Sequence, residues 1–78
     1  MKVIKKFTYD GVELRIVERM EQYGCIEMAF TRVLTPNGQA IPVQFRYKDT
    51  QKKMVATVTE FLDSIKARGI DVQKQLIA

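Results

Sequence analysis

The strongest constraint on this chain is the dipeptide Asp10-Gly11, set between Lys5-Lys6-Phe7-Thr8-Tyr9 and Val12-Glu13-Leu14-Arg15-Ile16, two runs of alternating character. A two-residue type I′ turn needs positive φ at both central positions, which Asp and Gly accept at low cost. Pairing outward from that turn sets Tyr9 against Val12, Phe7 against Leu14 and Lys5 against Ile16. Alternation with period two makes this the core face. The other face then pairs Thr8 with Glu13, Lys6 with Arg15, and Ile4 with Val17. The second strand is expected to reach about Met20, with a turn through Glu21-Gln22-Tyr23-Gly24.

A second hairpin is signalled by Thr35-Pro36-Asn37-Gly38, and two registers compete for it. A three-residue loop with a type I turn and a glycine bulge suits Pro36 but separates Phe30 from Phe45. A two-residue Asn-Gly loop opposes Phe30 to Phe45, Met28 to Tyr47 and Leu34 to Ile41, gathering the large apolar groups on one face. Register follows the buried pattern where one face is packed, which favours the Asn-Gly loop or a bulged equivalent with the same pairing. It places Val33 opposite Pro42, Thr31 opposite Gln44, Ala29 opposite Arg46 and Glu27 opposite Lys48, all on the open face. Pro42, without an N–H, suits the edge position of a fourth strand. Lys2, Lys5 and Lys6 would guard the other edge against unwanted pairing.

The period changes after residue 50. Met54, Val55, Val58, Phe61, Leu62 and Ile65 form one helical stripe. Asp49 or Thr50 can cap its start, and Gly69 suits its end, with Ile70 placed against Ile65 across the cap. A short second helix starting at Asp71 would bury Val72 and Leu76. The expected architecture is therefore α+β: a four-stranded antiparallel meander (ββββ) with one face covered by a C-terminal amphipathic helix. At 78 residues there is room for one domain, residues 1–78.

Composition narrows the chemistry. Cys25 is the only cysteine and there is no histidine, so neither a disulfide nor a His/Cys metal site can be built within the chain. Cys25 itself reads as a small buried hydrophobe, and an unpaired cysteine suits a reducing cytoplasm. The charged start at Lys2 argues against a signal peptide, and no run approaches the ~20 apolar residues of a membrane span. The single serine, Ser64, has no histidine to activate it, and each glycine has a turn or cap role, so no cofactor is expected. A carboxylate pair such as Glu13 with Glu27 would be the remaining acid–base candidate, but nothing places it in a cleft. The expectation is a non-catalytic protein.

Two features point to binding. The open face would expose Ile4, Val17, Ala29, Val33 and Pro42, a clustered apolar surface of the kind that marks interaction sites. The first expectation is a protein partner on that face, with self-association into a homo-oligomer. The second is the basic stretch through Arg46, Lys48, Lys52 and Lys53, which joins the last strand to the helix start. A helix N-terminus with added cations attracts anions, so a nucleic-acid contact there is the alternative, extended by Lys6 and Arg15. The net charge of +4 permits such a partner without requiring it.

Overall fold

Asp10 and Gly11 take φ values of 50° and 80°, the positive pair of a type I′ turn. They join β1 (Lys2–Tyr9) to β2 (Val12–Tyr23) in the expected register from Tyr9↔Val12 through Lys5↔Ile16. The computed structural model describes residues 1–46 and 48–77. β3 (Ile26–Leu34) completes a three-stranded antiparallel sheet ordered β1-β2-β3. Helices α1 (Gln51–Lys66) and α2 (Val72–Leu76) follow, making the chain an α+β fold with helix packed on sheet.

The core forms where the inner face of the sheet meets the helices. Leu14 and Ile16 of β2 and Val33 of β3 are sealed against Val58 and Leu62 of α1 and Val72 and Leu76 of α2. Burying each such side chain contributes roughly 1.5–3 kcal/mol. Thr50 caps α1, its side chain accepting from the Lys53 N–H at 3.1 Å. Asp71 caps α2 in the same way through the Lys74 N–H, so both expected helix starts are present. Two further ties hold the layers. The Tyr9 hydroxyl donates to Asp63 Oδ1 at 2.6 Å, and Gln73 Nε2 donates to the Asp10 carbonyl at 3.0 Å.

Two registers differ from expectation. A bulge between Val3 and Lys5 slips the first hairpin, so Val3 rather than Ile4 faces Val17. Ile4 consequently packs against the core, while Val3 is exposed. The bulge lets a larger apolar side chain reach the core at a position that strict alternation sends to water.

The second hairpin takes the three-residue loop. The Gly38 N–H bonds the Thr35 carbonyl at 2.9 Å, and the Thr35 N–H bonds the Gln39 carbonyl at 2.8 Å. Gly38 sits at φ 85°, the left-handed conformation of a glycine bulge. The buried Thr35 hydroxyl accepts from the Gln39 N–H and donates to Asn37 Oδ1, fastening the loop. This geometry pairs Leu34 with Ala40 and joins the Ile41 N–H to the Val33 carbonyl. Val33 is therefore in the core, contrary to its expected place on the open face. Phe30 moves to the face opposite Val33, away from Phe45.

The expected fourth strand does not form over residues 41–46. After Ile41 the Val43 N–H turns back to the Ile41 carbonyl at 2.8 Å. This is a three-residue γ-turn centred on Pro42, whose fixed φ suits it and whose missing N–H cannot extend the ladder. The segment then packs Val43 and Phe45 against the core without pairing with β3. The expected pairings of Thr31 with Gln44 and Ala29 with Arg46 are accordingly absent, and Tyr47, expected opposite Met28, lies outside the described residues.

Candidate functional site

β1 ends beside Glu18, because Lys2↔Glu18 is its last pair. β2 and β3 continue without it, pairing from Arg19↔Phe30 to Tyr23↔Ile26. The sheet thus becomes a two-stranded arm roughly 15 Å long at the usual rise per residue. The molecule is elongated accordingly, at 46 × 23 × 19 Å. Its tip is the turn Gly24-Cys25, with Gly24 at φ 64°, as a type II′ turn demands of its first central residue. Strand β2 therefore runs three residues past the expected end. Cys25 is exposed in the turn, not buried as its residue type suggested.

Alternation assigns the arm's two faces. Val17, Arg19, Glu21 and Tyr23 of β2 lie with Ile26, Met28, Phe30, Arg32 and Leu34 of β3 on the outer face, away from the helices. Tyr23, Ile26 and Met28 are 54%, 61% and 47% exposed. Tyr23 lies back along the arm, its hydroxyl donating to Glu21 at 2.7 Å and its ring meeting Phe30 edge-on at 6.3 Å. The Glu21 carboxylate raises the Tyr23 pKa by accepting that bond, and Arg19 Nε stands 3.7 Å from the same carboxylate. On the inner face, Met20 is also exposed, opposite Ala29.

The residues expected to form an apolar interface are scattered. Val17 keeps its outward place but is only 2% exposed, flanked by Val3 and Arg32 on the neighbouring strands. Ile4 and Val33 face the core. Ala29 is exposed, on the inner side of the arm, and Pro42 is exposed at its turn. Expectation missed Tyr23, Ile26, Met28 and Phe30. The outward places of Ile26, Met28 and Phe30 follow from the unbroken 26–34 run once the bulged turn that suits Pro36 sets its register.

The basic residues divide between two places. Lys6 and Arg15 pair on the outer face as expected, and Arg15 reaches the Thr35 carbonyl at 3.4 Å. Arg46 and Lys48 line a cleft of about 500 Å³, bounded by Ala29 and Thr31 on one side and by Val43 and Phe45 on the other. Asp49 accepts from the Arg46 N–H at 2.8 Å in that wall. Lys52 and Lys53 are exposed on the first turn of α1, where Thr50 already occupies the Lys53 N–H. A second cleft of about 440 Å³ runs between Ile41 and Pro42 and the helices at Phe61, Ile65 and Leu76.

Glu13 pairs with Thr8 beside the first turn and Glu27 with Gln22 near the arm's tip, so the two carboxylates do not meet. No group of three metal-ligating side chains occurs among the described residues. Nor is any helix among them long and apolar enough to cross a membrane. No family model, curated protein or solved structure matches the chain.

Proposed function

We propose that this is a non-catalytic binding protein that associates with copies of itself through the projecting β2–β3 arm. The observation that carries this reading is the exposure of Met20, Tyr23, Ile26 and Met28, four side chains of the ribbon that lie outside the core. An isolated two-stranded ribbon is marginally stable in water, and contiguous exposed apolar side chains mark interaction sites. Covering the arm offsets both costs. The test is sedimentation velocity over a range of concentrations, for the parent and for Met28→Lys and Ile26→Lys. The reading predicts a concentration-dependent oligomer in the parent and monomers in the variants, with unchanged circular dichroism. A parent that stays monomeric at every concentration contradicts it.

A second reading has its own support. The outer face combines Lys6, Arg15, Arg19 and Arg32 with the rings of Tyr23 and Phe30, and cations interleaved with aromatic platforms suit a single-stranded nucleic acid. The corner of Arg46, Lys48, Lys52 and Lys53 would extend the phosphate track. Four phosphate contacts give a slope of log K against log salt of roughly −3 to −4, smaller for single strands. Absence of measurable affinity at low salt removes this reading and leaves the first.

A further inference from the structure

We infer that the second copy joins through the free edge of β3, running antiparallel to its counterpart about a two-fold axis at Met28, so that two sheets become one. This rests on the arm being the self-association surface, and it specifies the partner strand and the register.

The direction of the backbone sets the first condition. The Thr35 N–H and the Val33 carbonyl bond to Gln39 and Ile41, on the side of β3 away from β2. Strand residues alternate, so Thr31, Ala29 and Glu27 aim their N–H and C=O groups the same way. Pro42 turns the chain off before it can meet them, and no backbone hydrogen bond reaches them from that side among the described residues. They form an open template for another strand.

The two edges of the sheet are treated differently by the sequence. The β1 edge carries Lys2, Lys5 and Lys6 and a bulge at Ile4, the devices that prevent edge pairing. Between Ile26 and Thr31 the β3 edge has no lysine, no proline and no bulge, and its one charge is Glu27. One edge is guarded and the other is not.

Parity and space then limit the register, and like charge removes the axis at Glu27, which would set Glu27 against Glu27. Only axes that pair the outward-aimed residues with one another are allowed. An axis at Ala29 would bring Cys25 of the second copy against Val33, whose outward side Ile41 already holds. An axis at Met28 stops short of that collision. It sets Met28 against Met28 and Ile26 against Phe30 on the outer face, a continuous apolar row. Glu27 and Ala29 exchange both N–H···O bonds across the join. On the inner face, Glu27 of the incoming strand enters the cleft between Ala29 and the segment carrying Arg46, which Arg46 and Lys48 line together with Glu18 and Asp49. Arg32 falls beyond the paired stretch, against the glycine turn of the other copy.

Cysteine placement tests this on the full chain. Residues facing each other across a non-hydrogen-bonded pair have Cα atoms ~4.5 Å apart, within disulfide reach. In a Cys25→Ser background, Met28→Cys should form a covalent dimer under oxidised glutathione, read on a non-reducing gel. Phe30→Cys in the same background should not, because its counterpart lies across Ile26. Sedimentation of the parent is measured alongside. A parent dimer with no Met28→Cys cross-link, or with equal cross-linking at both positions, overturns the register and leaves arm-mediated association standing. A monomeric parent overturns both.

Discussion

The Ile41 amide donates to the Val33 carbonyl at 2.9 Å, and this contact fixes which face of β3 is dry. With Ile41 beside it, Val33 turns into the core at 0% exposure, and its alternation partners Phe30, Met28 and Ile26 turn out. A shift by one residue would reverse all of them.

Val33→Ala should therefore cost roughly 2–3 kcal/mol, from lost burial and the space left behind. Phe30→Ala, although it removes a larger side chain, should cost less, because Phe30 packs on the outer face against Tyr23. Urea unfolding of the two variants checks the order. A larger loss for Phe30→Ala would place the phenylalanine inside.

The bulge at Ile4 makes a paired prediction. Ile4→Lys should destabilise by roughly 1–2 kcal/mol, less than for full burial because Ile4 is half-buried. Val3→Lys should leave the melting temperature within a few degrees, since Val3 is 43% exposed. Equal melting temperatures for the two would argue for an unbulged strand.

Tyr9 supplies a pH dependence. Its hydroxyl bond to Asp63, followed by burial, pushes its pKa up to about 12. The unfolded chain releases that proton near pH 10, so between the two values it binds fewer protons than the native state. Stability from this bond is complete below about pH 10 and falls as pH rises towards 12. Tyr9→Phe should cost on the order of 1 kcal/mol at neutral pH and flatten the alkaline decline. An unchanged decline in Tyr9→Phe would assign it to other groups.

Ala29→Pro separates folding from association. Its N–H points away from β2, so proline removes no bond of the β2–β3 ladder, and an edge strand tolerates it there. The variant should fold and sediment as a monomer. Retained association would mean that the β3 edge is not the joining strand.

Much of this architecture is legible in the sequence, for local reasons. Asp10-Gly11 admits one turn, the stripe from Met54 to Ile65 admits one helical face, and Asp71 announces the helix that buries Val72 and Leu76. The interaction surface is less legible, because it depends on counting residues through turns. Aromatic size favours setting Phe30 with Phe45, but Pro36, whose fixed φ suits the first central position of a type I turn, outweighs it and sets the observed loop. The arm's full length is hidden for a related reason. Glu21-Gln22-Tyr23 resembles loop composition, yet Glu21 and Tyr23 share a strand face and bond each other. Nothing in residue type alone shows that β2 and β3 stay paired from Arg19↔Phe30 to Tyr23↔Ile26, and that continued pairing forms the exposed ribbon.

Amide hydrogen exchange as a function of protein concentration tests the central claim most directly. If the arm is the self-association surface and the β3 edge its seam, the N–H groups of Glu27 and Ala29 exchange slowly in concentrated solution and fast on dilution. Amides in α1 should hold one rate throughout. Fast exchange of Glu27 and Ala29 at every concentration would contradict the account.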